Sequence, residues 1–72
     1  MWIKAHFVAS GEEIRIQTQN IAAVFTDQSS DPQNSGKTII QFIGSEDNYI
    51  HVRETIDEIG EQIILWQILK NI

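Results

Sequence analysis

Val52-Arg53-Glu54-Thr55-Ile56-Asp57-Glu58-Ile59 is the stretch that decides how this 72-residue chain folds. Before it, apolar residues recur at every second position: Ile50 and Val52 fall on one side, Tyr49, His51 and Arg53 on the other. That alternation is the pattern of a half-buried strand. From Ile56 onward the spacing changes to the 3.6-residue period of a helix. Thr55 stands three residues before Glu58, the spacing of a capping box, in which the threonine hydroxyl accepts the Glu58 N–H and the glutamate accepts the Thr55 N–H. Asp57 and Glu58 also put negative charge on the positive end of the helix dipole. The spacing predicts a helix over about 56–71, preceded by strands over about 2–53.

Toward the N-terminus, Thr38 to Ile43 is the most apolar strand, and Gly44 to Asn48 is the turn that follows it. Gln28 to Lys37 is the one long polar tract and holds the single proline, so it reads as a loop between strands. Ile21 to Thr26 is a further strand. Its Ile21 and Val24 are three apart, so both face inward only if the strand bulges or bends. Thr18-Gln19-Asn20 interrupts the pattern before it. Ser10-Gly11-Glu12 is a turn between the alternating segment Trp2 to Ala9 and the strand carrying Ile14 and Ile16. The expected fold is α+β in a single domain over residues 1–72. It is an antiparallel meander of four or five short strands, each beside its neighbour in sequence, partly rolled and packed by one C-terminal helix.

The helix is apolar on two sides. At about 100° per residue, Ile56, Ile59, Ile63 and Trp66 form one stripe, which is predicted to lie on the sheet. Ile64, Leu65, Ile68, Leu69 and Ile72 cover roughly 140° of the opposite side. One sheet cannot cover both faces. Either the second face meets another molecule, or the sheet curls strongly, or the helix breaks near Gly60 and its second half repacks. A helical glycine costs about 1 kcal/mol relative to alanine, so either something approaches the Gly60 backbone closely or it is a weak point. Five large aliphatics exceed what a soluble monomer normally shows. The expected interface is therefore Ile64, Leu65, Ile68, Leu69 and Ile72, in a homodimer or higher homo-oligomer, with another protein as a further partner.

Composition narrows the function. Ten acidic residues against five basic ones give a net charge of −5, and Lys4, Arg15, Lys37, Arg53 and Lys70 are scattered. Nucleic-acid affinity comes largely from lysine and arginine displacing phosphate counterions, so nucleic acid is not an expected partner of the single chain. The alternative function is a nucleic-acid-associated regulator acting as an oligomer, marked by Arg15, Lys37 and Arg53 on one face. No run reaches the roughly 18 apolar residues of a membrane span. Residues 1–6 lack the basic-then-apolar order of a secretory signal, so a cytoplasmic protein is expected. With no cysteine there is neither a disulfide nor a thiolate metal site.

No enzyme and no cofactor is expected. His6 and His51 with Glu54 would suit zinc chemically, but they show no compact ligand spacing. The pairs Glu12-Glu13, Glu46-Asp47 and Asp57-Glu58 lie at turns or at the helix start, where turn and cap roles account for them.

The order Gly11-Glu12-Glu13-Ile14-Arg15-Ile16, then Asn20-Ile21-Ala22-Ala23-Val24, Thr38-Ile39-Ile40, Gly44 and Val52 to Ile59 resembles the small FlbD-type proteins of bacterial flagellar operons and related short bacterial proteins. The resemblance spans roughly residues 2–62. To that pattern the chain adds the polar loop Gln28 to Lys37 and the apolar extension Ile63 to Ile72. What the resemblance implies is a small non-enzymatic accessory or regulatory module, with no catalytic residue to carry over.

Overall fold

The computed structural model describes residues 1–70. Five antiparallel strands and one helix follow in the order β1 (Trp2–His6), β2 (Glu13–Gln17), β3 (Ile21–Thr26), β4 (Thr38–Phe42), β5 (Tyr49–Val52) and α1 (Ile56–Lys70), an α+β fold. The helix begins where the period changes. Glu58 N–H donates to Thr55 Oγ1 and Thr55 N–H donates to Glu58 Oε1, both at 3.1 Å. The capping box is complete.

The strands form two sheets rather than one continuous meander: a β1–β2 hairpin, and a β3–β4–β5 meander. β2 and β3 are neighbours in sequence but not in a ladder. The 3₁₀ turn Thr18–Asn20 redirects the chain between them, and Asn20 C=O then accepts the Ile43 N–H beyond the end of β4. β1 instead meets β5 through a bridge at Phe7 and Val52. Val8 N–H donates to His51 C=O and Arg53 N–H to His6 C=O. The roll therefore runs β2-β1-β5-β4-β3, leaving β2 at one end and β3 at the other. The bulge or bend expected in β3 takes the form of a register shift against β4 between Ile21 and Ala23.

The core is where the two sheets face one another. Ile3, Ala5 and Ile16 come from the hairpin, Ile40 and Val52 from the meander, and Ile59 from the helix. Gly11 makes the β1–β2 turn possible, with φ +74°, a conformation that side-chain-bearing residues rarely adopt. The Arg53 guanidinium packs over it and donates to Val8 C=O at 3.2 Å.

Helix α1 packs against β1 and β3. Gln62 does for β1 what a neighbouring strand would do. Its Oε1 accepts the Lys4 N–H and its Nε2 donates to the Lys4 C=O, both at 2.8 Å. His6 N–H on the same edge donates to Glu54 Oε1 at 2.7 Å. Gly60 has nothing within 4 Å of where a Cβ would stand, so no close neighbour explains this glycine, and the helix runs through it unbroken. No helix among the described residues is long and apolar enough to cross a membrane.

Candidate functional site

The second half of α1 outruns the sheets. Ile59 is 2 % exposed and Ile63 is half-buried against the core, whereas every residue from Ile64 to Lys70 is exposed. Ile64, Leu65, Ile68 and Leu69 are 56, 58, 52 and 68 % exposed. Ile72, grouped with them on sequence, lies outside the described residues. Of the two ways to cover this face within one chain, neither occurs: the helix does not break, and the rolled strands do not reach it.

Two members of the stripe assigned to the sheet need correction. Trp66 shares the column of Ile59 and Ile63 but comes about one turn after Gln62 and Ile63, which hold the helix to β1 and the core, and it is 44 % exposed. Ile56, at the first turn, is 41 % exposed. A face predicted from angle alone ignores how far along the axis the sheet extends. The result is a helix segment, Ile64 to Leu69, that carries apolar side chains around its girth and no charge.

The histidines do not come together. His6 Nδ1 is 2.6 Å from Glu54 Oε2, with Glu13 3.9 Å from its other nitrogen. His51 Nε2 is 2.7 Å from Asp27 Oδ2, and the edge of one ring meets the face of the other where Tyr49 lies against His51. Glu54 and Asp27 thus serve different imidazoles, and among the described residues no group of three His, Cys, Asp or Glu side chains is arranged to hold a metal. The His51–Asp27 pair ties β5 to the end of β3 across Ile39 of β4. It also anchors the long loop, because Asp27 exchanges backbone hydrogen bonds with Lys37 and Gly36. Asp27 is invisible to sequence reasoning, since it belongs to a turn-rich polar tract and its partner is 24 residues away.

Both carboxylates are held below their ordinary range. Hydrogen bonds from the Ser29 hydroxyl and backbone N–H, joined by the His51 ring, pull Asp27 from 3.8 down to about 2, against the opposing effect of burial. Burial pushes Glu54 up, but the hydrogen bonds from the His6 ring and backbone outweigh it, so the net displacement is downward. A carboxylate depressed in the folded state stabilises the fold fully above its unfolded pKa and loses that contribution as pH falls through the folded one. For Asp27 the loss falls between pH 3.8 and about 2. Thermal melts from pH 7 to 1.5 should show the gap between wild type and Asp27→Asn closing across that window. A gap unchanged down to pH 2 would show that the carboxylate charge is not what the pair contributes.

The basic residues occupy separate settings. Lys4 and Arg15 are cross-strand partners on the hairpin, Arg53 covers the turn at Gly11, and Lys37 closes the long loop against Asp27. A groove of about 530 Å³ runs beside β2, lined mainly by Phe7, Ile14, Ile16, Phe42 and Ile50, with the half-exposed Trp2 beside them. Compared with protein-family models, with curated proteins and with solved structures, the chain matches none.

Proposed function

We propose that this protein is a non-enzymatic interaction module that self-associates through the projecting half of α1, with Ile64, Leu65, Ile68 and Leu69 as the contact and Ile72 continuing the same face in sequence. The observation that carries it is the exposure of four large aliphatics on a segment with no charge. A helix apolar on all sides is normally buried on all sides. An uncharged aliphatic face selects a partner by apolar shape, and a second copy offers an identical ridge at the same spacing. Glu61 stands at the N-terminal end of this face, so an antiparallel pair keeps the two Glu61 carboxylates apart. An accessory or regulatory role, of the kind the FlbD-type resemblance implies, belongs to the same proposal. So does a cytoplasmic setting, supported by a cysteine-free core that needs no oxidising compartment.

Sedimentation equilibrium on the full chain tests this. At high micromolar concentration the wild type is expected to be a larger species than a Leu65→Glu, Ile68→Glu variant, whose added charges the contact cannot bury. Equal masses for the two proteins would dispose of the helix contact. The mutated residues are exposed, so the variant should keep the wild-type circular dichroism spectrum.

A further inference from the structure

The two edges of the β1–β2 hairpin are treated differently. In an antiparallel ladder, residues that exchange hydrogen bonds alternate with residues whose backbone groups point outward. Four observed bonds set the phase here. Phe7 N–H donates to Glu12 C=O and Thr18 N–H to Met1 C=O, while Lys4 and His6 donate away from β2, to Gln62 and Glu54. Ile14 and Ile16 therefore bond to β1, and the N–H and C=O groups of Glu13, Arg15 and Gln17 point away from it. Gln17 caps the 3₁₀ turn Thr18–Asn20, whereas among the described residues the outward N–H and C=O groups of Glu13 and Arg15 have no backbone or side-chain partner. One edge of the hairpin is closed by a glutamine and a glutamate. The other is an open template for a strand.

We propose that a second copy of this chain pairs with that open edge, β2 against β2, antiparallel about a two-fold axis at Ile14. Charge selects the occupant and the register. A pairing centred on Glu13 sets two glutamates opposite, and one centred on Arg15 sets two arginines opposite. Centring on Ile14 places Glu13 of one protomer across from the partner's Arg15, twice. Opposite charges in directly facing positions stabilise a sheet and like charges oppose it. The same register makes Glu13 and Arg15 the hydrogen-bonded positions, which matches the outward direction of their backbone groups. It brings Ile14 against the partner's Ile14 on the groove side, next to Ile16, Phe42 and Ile50, and joins two hairpins into a four-stranded sheet. Glu13 is free to turn toward a partner, because its contacts within the chain are loose: 3.9 Å to His6 and 4.0 Å to Arg15. This interface is separate from the helix contact.

A charge-swap series on the full-length Leu65→Glu, Ile68→Glu chain tests the pairing apart from the helix. That chain is expected to remain a dimer at high micromolar concentration. Arg15→Glu should weaken the dimer by about tenfold or more, since each facing attraction becomes a repulsion. Adding Glu13→Arg to Arg15→Glu should restore it. Hydrogen exchange supplies a second readout on the wild type: protection of the Glu13 and Arg15 amides should rise with protein concentration. A monomeric Leu65→Glu, Ile68→Glu chain with well-formed secondary structure, a dimer indifferent to the charges at 13 and 15, or amides equally unprotected at every concentration would each overturn the strand pairing. Equal masses for wild type and the helix variant, with the charge-swap pattern intact, would overturn the helix contact alone.

Discussion

Ile40→Ala is expected to destabilise the protein by about 2–5 kcal/mol, toward the upper end of that range. Ile40 is fully buried. It lies on β4, the middle strand of the larger sheet, opposite Val24 on one side and Ile50 on the other. Core sites that cannot collapse around a lost side chain suffer the most, and β4 is held by ladders on both edges. A domain of this size is held by a total of only about 5–15 kcal/mol. For 60–100 residues, each 1 kcal/mol moves the melting temperature by about 4–8 °C, so the drop should be roughly 10–40 °C. Thermal denaturation followed by circular dichroism measures it. A fall of only a few degrees would mean that the face-to-face packing of the two sheets is not what holds the fold.

The second large effect is a contrast within one helix. Ile59→Ala should cost about 2–4 kcal/mol, whereas Ile64→Ala in dilute solution should stay within about 0.5 kcal/mol of wild type. The two side chains are chemically identical, but one is 2 % exposed and the other 56 %. Ile59 is the one helix residue buried in the core among those described. Losing it removes the main apolar attachment of α1 and leaves the half-buried Ile63 and the two Gln62 hydrogen bonds to Lys4 holding the helix. Chemical denaturation of both variants at low micromolar concentration is the check. If Ile64→Ala cost as much as Ile59→Ala under these conditions, the second face would be packed within the chain and the helix contact would lose its basis.

Much of the architecture is legible in local pattern. The start of α1 is written in Thr55 and Glu58, because a capping box uses groups three residues apart and needs nothing from the rest of the molecule. That β3 must bulge or bend follows from Ile21 and Val24 both being apolar in a strand of period two. The turn at Gly11 and the break at Thr18–Asn20 are equally local. The expectation that each strand pairs with its sequence neighbour holds for β1–β2, β3–β4 and β4–β5 and fails at β2–β3. There the 3₁₀ turn bends the chain, and β1 closes on β5 instead.

The candidate surfaces divide in the same way. Ile64, Leu65, Ile68 and Leu69 were recognisable as a surplus apolar face because a helix's angular pattern is carried by adjacent turns. The same angles place Trp66 in the core stripe, yet only the length of the sheet along the helix axis decides whether a residue in that column is covered. Glu54 and Asp27 as the partners of His6 and His51, and Gln62 as a surrogate strand, had no local signal at all.

On its own, the amino-acid sequence determined the α+β class, the positions of the strands and helix, and the excess of aliphatic surface after Ile63, since all of these rest on periodicity and hydrogen bonds between near neighbours. Tertiary structure alone decided which strand edge is sealed and which is left open. The seal on β1 joins residues 48 and 58 positions apart, and such contacts exist only once the chain has rolled and the helix has docked.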